Sequence, residues 1–265
     1  MSWYDIAVAT KNPKAFYGVV KILEKLDLNF RSCEPGDRFC DVAKVVITTQ
    51  DEASEMHSDR LVIVENEPDE MTTSIDIMMH YLSVPQPREI VIGIDPGLHI
   101  GMAVLADKST VYTRVLASTI NAANIVTKLV QFCRLKHPRS NIIVRVGLGS
   151  KLYSTLLLRS LVDLLSDTVL QLVNEKHTTH PGGYTTDSSS AVLIASRFGR
   201  SPEESDFLIE LKAGYIRALR HLFSWLTNNR GELSVEDARK ILLGEISISD
   251  VLANFTQLEK KRLTV

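Results

Sequence analysis

The chain has 265 residues, 45% of them hydrophobic, 23% charged and 6% aromatic. That composition excludes a disordered, collagen-like or disulfide-stapled chain and suggests one large or two modest domains. The formal net charge of −2, from 30 basic and 32 acidic residues, argues against a surface coated in positive charge for nucleic acid.

No run of about 18 apolar residues occurs, so no membrane span is expected. The opening MSWYDIAVATKNPK has no basic leader ahead of an apolar run, so a cytoplasmic chain is expected. Cys33, Cys40 and Cys133 are an odd number without a CxxC, and reduced thiols are expected.

Residues 1–83 read as a small acidic α/β domain. Tyr4–Ala9 is a short apolar run, and Phe16, Val19, Val20, Ile22, Leu23 and Leu26 recur at helical spacing. Leu28–Phe30, Val42–Thr48 and Leu61–Val64 read as strands, and Met71–Leu82 as an amphipathic helix. This alternation predicts a parallel, Rossmann-like layer, although no GxGxxG follows the first strand. Val8–Lys14 resembles the opening of Ham1-like nucleoside triphosphate pyrophosphatases, which would place Lys14 near a phosphate. The same residues also fit a loop and first helical turn with proline near N1.

Residues 84–88, with Pro85-Gln86-Pro87, read as a linker. EIVIGIDPG, IGMAVLAD and STVYTRVLAS then predict an antiparallel meander of three strands. Helices over Ala122–His137, Leu152–Leu165 and Ser188–Phe198 alternate with strands over Asn141–Val146 and Thr168–Val173. The order of this domain, residues 88–200, is β-β-β-α-β-α-β-α. Residues 201–265 read as a helical C-terminal domain, beginning with one long helix over Asp206–Asn228. Ser234 and Ser247 or Ser249 are candidate caps for two shorter helices.

Three carboxylates fall at one end of the predicted second sheet. Asp95 ends the first meander strand and also fits an acid opening a Pro-Gly turn. Glu175 follows the last strand and also fits a solvated acid where a loop begins. Asp187 opens a helix, where it also fits an N-cap, and shares a face with Ala191, Ile194 and Ala195. Converging carboxylates repel one another unless a divalent cation neutralises them, and oxygen-only ligation favours Mg²⁺ or Mn²⁺.

GIDPG with Gly101 in the next strand resembles the first motif of RuvC-type Holliday junction resolvases. NEKHTT followed by DSSSAVLIA is similar to the last two motifs of the RuvC/YqgF-like group. The fourth strand, IIVRVGLGS, lacks the glutamate of RuvC proper and looks more like the YqgF arrangement. The resemblance covers roughly residues 88–199. It implies a ribonuclease H-like fold and a metal-dependent nuclease with Asp95, Glu175 and Asp187 as metal-binding catalytic acids. Its implied substrate is structured DNA or RNA, cleaved by two-metal-ion hydrolysis. A non-catalytic nucleic-acid-binding or scaffold protein is one alternative. An actin-like nucleotide-binding protein is another, since G-I-D-x-G also opens that phosphate loop.

Lys151, His177, His180, Arg217 and Arg220 are candidate substrate contacts. Lys151 also fits a strand-to-helix turn, and the histidines an exposed loop. The faces holding Arg217 and Arg220 also fit a homodimer through the C-terminal helices. Residues 1–87 hold 8 basic and 15 acidic residues, residues 88–196 hold 11 and 7, and residues 197–265 hold 11 and 10. Nucleic acid is therefore expected on residues 88–265. The acidic first domain awaits an unknown partner.

Overall fold

The computed structural model describes residues 4–116, 119–175 and 187–263, without the side chains of residues 119–121, 187 and 258–263. The chain is α/β, with two sheets and eight α-helices among the described residues. It divides into two compact units. The first runs to Ile90 and takes in Val104–Tyr112 and Gln131–Asn141. The second holds Val91–Ala103, Thr113–Val130 and the chain from Ile142 onward.

The first sheet is built from β1 (Ile6–Ala9), β2 (Phe30–Cys33), β3 (Val45–Thr49) and β4 (Leu61–Val64) in the order β2-β1-β3-β4. All its pairings are parallel. The two central strands are buried along their whole length, which accounts for their unbroken apolar and threonine sequences. Helices α1 (Pro13–Lys25) and α2 (Glu70–Tyr81) cover one face of this sheet. Asn12 caps α1 by accepting from Lys14 N and Ala15 N at 3.0 and 3.2 Å, with Pro13 at the first helical position. Asp69 caps α2 in the same way through Thr72 N at 3.1 Å.

Among the described residues, two 3₁₀ turns lie over the opposite face, Cys40–Val42 and Ala53–Glu55. Cys40, Ala43 and Met56 pack there on Ala7, Ala9 and Val46. The expected reduced thiols are corrected here, because Cys33 and Cys40 form a disulfide. The turn after β2 brings their Cα atoms to 6.1 Å, within bonding reach. Spacing in sequence carries no trace of that turn. Cys133 is free and buried.

Beside α2, Lys136 pairs with the buried Asp76 at 2.8 Å, and His80 lies against the same carboxylate. Burial pushes the Asp76 carboxyl up, but His80 and Lys136 outweigh that and hold it below the usual carboxylate range.

The second sheet contains β5 (Glu89–Asp95), β6 (Ile100–Ala106), β7 (Ser109–Leu116), β8 (Asn141–Gly147) and β9 (Val169–Val173), in the order β7-β6-β5-β8-β9. β5, β6 and β7 are neighbours joined by four-residue and two-residue connections, which an antiparallel meander allows. Asp107 and Lys108 turn the second connection with φ of 45° and 73°, the signature of a type I′ hairpin. The Asp107 carboxylate also accepts from Arg88 N and Glu89 N, each at 3.0 Å. β8 and β9 pair in parallel. Helices α3 (Thr119–Lys136), α4 (Lys151–Val162) and α5 (Asp187–Ser196) complete the alternation.

The expected long helix over Asp206–Asn228 is broken. A 3₁₀ turn at Glu204–Phe207 is followed by extended chain, and α6 spans only Ala213–Leu226. The cause lies on α4. Lys151 Nζ donates to Ser205 O and Asp206 O, Thr155 Oγ1 to Asp206 O, and Arg159 to Phe207 O. These are carbonyls that a continuing helix would need for its own ladder. Arg200 grips the Asp206 carboxylate with two bonds of 2.6 and 2.7 Å, fixing the turn. α7 (Val235–Leu243) and α8 (Ile248–Leu263) follow, capped by Ser234 and Ser247. Leu219, Leu222, Phe223, Ile241 and Leu242 share one core with Leu152 and Leu156 of α4. No helix among the described residues is long and apolar enough to cross a membrane.

Gly93, in the central strand β5, lies directly under α5. A Cβ there would collide with Ala191 O and sit 2.6 Å from Ala195 Cβ and 2.7 Å from Ala195 N. Gly93→Ala is expected to lower the unfolding free energy by about 2–3 kcal/mol, as overpacking does, measured by urea titration. A change under about 0.5 kcal/mol would show that α5 can lift off at no cost.

Candidate functional site

Asp95 is the last residue of β5 and is half-buried. Pro96-Gly97 turns the chain away from it. Glu175 lies two residues beyond β9 and is likewise half-buried.

The end of β8 shapes the seat of Glu175. Leu148 N donates to Val173 O at 3.0 Å, keeping the two chains together past the sheet. Gly149 N then donates to Glu175 Oε1 at 2.7 Å. A Cβ on Gly149 would come within 2.7 Å of Glu175 Oε2 and 2.9 Å of Oε1. A Cβ on Gly147 would collide with Glu175 Oε1 and meet Ile194 Cδ1 at 2.6 Å. The two glycines of GLGS therefore make room for this carboxylate, with Ile194 of α5 packed alongside.

Asp187 is the first residue of α5; its side chain lies outside the described residues, as do His177 and His180. Its helix is placed by the contacts further along. Ala191, Ile194 and Ala195 are buried, and Ala191 sits on Gly93. That contact is one helical turn after Asp187 and two strand residues before Asp95. Arg145, buried on β8, donates to Ala195 O and to Gln171 Oε1, fixing the far end of α5.

The remaining candidates are spread out. Lys151 is engaged by the carbonyls of Ser205 and Asp206. Arg220 Nε donates to Leu233 O at 2.9 Å. Arg217 is exposed on α6. The carboxylate donor set is all oxygen, which suits a hard divalent cation. Among the described residues no group of three or more His, Cys, Asp or Glu is positioned to hold a metal. The described part of the trio is Asp95 and Glu175.

Sequence reasoning missed a second strand-end feature, in the first sheet. Its strand order reverses between β1 and β3, and in open α/β sheets ligands sit outside the carboxyl ends at that point. Here Glu52 fills the position. Its carboxylate accepts from Lys11 N at 2.6 Å and from Thr49 Oγ1 at 2.7 Å. Burial pushes the Glu52 carboxyl up, but these bonds and one from Thr10 outweigh it and hold it below the usual range. Lys14, the candidate phosphate contact, pairs instead with Glu67 at 2.9 Å on the surface.

Residues 5–82 match a response regulator receiver-like domain, less than a third of the chain. The chain matches no curated protein sequence. Among solved structures, a Marinitoga piezophila Argonaute in complex with 5′ OH guide RNA is similar over 64% of this chain and 39% of its own, at 12% identity and a TM-score of 0.26. CetZ from Methanosaeta thermophila strain DSM 6194 is similar over 90% of this chain and 60% of its own, at 10% identity and a TM-score of 0.22. This chain thus spans less than two thirds of either protein, and likenesses this slight carry no functional weight.

The family match corrects the resemblance to the RuvC/YqgF group, and with it the Holliday junction assignment. The family model that matches is receiver-like and covers residues 5–82. The strings that suggested otherwise are common chemistry: an acid before a Pro-Gly turn, and an acid at a helix start.

Two tests follow from this geometry. Gly149→Ala should destabilise the protein in the native background and do so by about 1 kcal/mol less when Glu175 is also alanine, read from a double-mutant cycle of chemical denaturation. Additive effects would mean that the carboxylate does not occupy this seat. For Glu52 the depressed pKa gives stability that is present above the unfolded value of about 4.3 and lost as pH falls through the lower folded value. Glu52→Gln should therefore reduce stability at pH 7 and flatten the acid limb of a melting-temperature profile. An unchanged acid limb would show the contact to be without weight.

Proposed function

We propose that residues 88–199 adopt a ribonuclease H-like layout in which Asp95, Glu175 and Asp187 hold Mg²⁺ or Mn²⁺ for hydrolysis of phosphodiester bonds in structured DNA or RNA. The observation that carries this reading is the seat of Glu175. Two glycines at the end of β8 yield their side-chain space to one carboxylate, and a backbone N–H fixes its orientation. A meander followed by alternating helices and strands supports the layout, with β5 central and Asp95 at its carboxyl end.

Divalent cations held by carboxylate oxygens would stabilise charge on the cleaved phosphate and lower the pKa of a bound water. The chain's own part is placement. The Gly93 contact sets the height of α5 above β5, and Gly149 N–H holds Glu175 in one rotamer. The net positive charge of residues 88–196 and the exposed Arg217 favour a polyanion, through contacts that weaken with salt. By its likeness to receiver-like domains, the acidic segment 5–82 is a module for control by a protein partner.

The Gly149 to Glu175 bond also favours a second reading. A carboxylate used to tie β8 to the chain after β9 suits a non-catalytic nucleic-acid-binding protein.

Melting curves of the full chain with and without Mn²⁺, alongside incubation with labelled branched and linear DNA and RNA, decide between them. Catalysis requires a Mn²⁺-dependent rise in Tm and strand cleavage, both lost in Asp95→Asn and Asp187→Asn while substrate binding persists. Absence of any Mn²⁺ shift, or cleavage undiminished in both variants, would sink it. Salt-sensitive binding without a shift would establish the second reading.

A further inference from the structure

The thinly covered face of the first sheet contains a cavity of about 480 Å³. Ile6, Ala7 and Ala43 line it, together with Arg31, Cys33 and Phe39. Phe39 is 73% exposed, unusual for phenylalanine, and sits next to the buried Cys40. The two sulfur-bearing residues differ in access. Cys33 is half-buried and lines the cavity, whereas Cys40 is fully buried. Arg31 lies two residues before Cys33, on the same side of β2, and also lines the cavity.

Between the cysteines, several hydrogen bonds of the segment are local. Asp37 N donates to Glu34 O and Phe39 N to Asp37 Oδ1. Gly36 turns the chain with φ of +83°. The disulfide is thus a covalent tie between this turn and the sheet.

We propose that the Cys33–Cys40 bond is a reducible latch on this cavity, opened by a dithiol that attacks the Cys33 sulfur. The attacking thiolate bonds to Cys33 Sγ as the Sγ–Sγ bond breaks. The electron pair leaves on Cys40, which takes a proton. The second thiol of the same dithiol, deprotonated, then attacks the dithiol sulfur of the mixed disulfide. Cys33 leaves as a thiolate and is then protonated. Two electrons have passed to the protein, and the dithiol is oxidised to its own disulfide. Residues 34–39 are then held only by the turn's own hydrogen bonds and the packing of the buried Pro35, which uncovers the cavity from the Phe39 side.

Cys133 is the internal control. Burial pushes its thiol up to about 12, which leaves it unreactive in the folded chain.

The experiment uses the full chain purified without reductant. Alkylation followed by peptide mass mapping should find Cys33 and Cys40 blocked, and free after treatment with dithiothreitol. Limited trypsin digestion should then cut after Arg38 about tenfold faster in the reduced protein, with the circular dichroism spectrum retained. Among single variants, Cys33 in Cys40→Ser should react with an aromatic disulfide about tenfold faster than Cys40 in Cys33→Ser. Cysteines found free in the purified protein, equal reactivity of the two, or cleavage after Arg38 indifferent to reduction would each overturn the proposal. The digestion on unmodified protein stands even if a variant fails to fold.

Discussion

The carboxyl edge of the second sheet depends on how closely one helix can approach one strand. Helix α5 rests on β5 at Gly93, where backbone and Ala195 occupy the space any larger residue would need. That contact buries Ala191, Ile194 and Ala195 and fixes the height of the helix. Ile194 then reaches the end of β8, beside the carboxylate of Glu175. The positions of the helix start, the end of β8 and the chain beyond β9 are thus linked through dense packing rather than through a charged network. Close-packed interiors transmit small volume changes, so the geometry at Glu175 is sensitive to residues that never touch it.

The first sheet solves the corresponding problem differently. Its crevice between β1 and β3 is filled from within, by a glutamate bound to two threonines and a backbone amide. Its helices lie on one face, and short 3₁₀ turns and a disulfide serve on the other. A sheet so asymmetrically covered has its larger buried cluster on the helical side and a smaller one under the turns.

Much of this architecture was legible in the sequence. Central strands read as continuous apolar runs, Ser234 marks one helix start, and of the two candidates Ser247 and Ser249 the first caps the last helix. The apolar face of α5 followed from helical spacing. Four things are hidden for physical reasons. β2 begins where the expected strand over Leu28–Phe30 ends, because Asp27, at φ of 53°, extends the turn after α1. The long helix before Asn228 has an unbroken apolar rhythm, but side chains from α4, distant in sequence, claim its carbonyls. The seat of Glu175 was half visible. Gly147 and Gly149 are visible at the end of the fourth strand, but their role is to give up volume to a residue beyond another strand, which no local pattern encodes. The Cys33–Cys40 bond is hidden for the same reason, since a turn and not a spacing rule brings the sulfurs together.

The capture of those carbonyls has a consequence for where the chain can be cut. Lys151, Thr155 and Arg159 spend their donors on residues 205–207, and Arg159 reaches on to the carbonyls of Ile241 and Leu242. Leu152 and Leu156 of the same helix lie in the core of the C-terminal bundle. Ending the chain at residue 200 would turn both leucines toward water and leave two cations and a hydroxyl without the groups they now hold. α4 therefore belongs as much to the bundle as to the sheet. A fragment that keeps the partners of Arg159 extends into α7, well past the last strand.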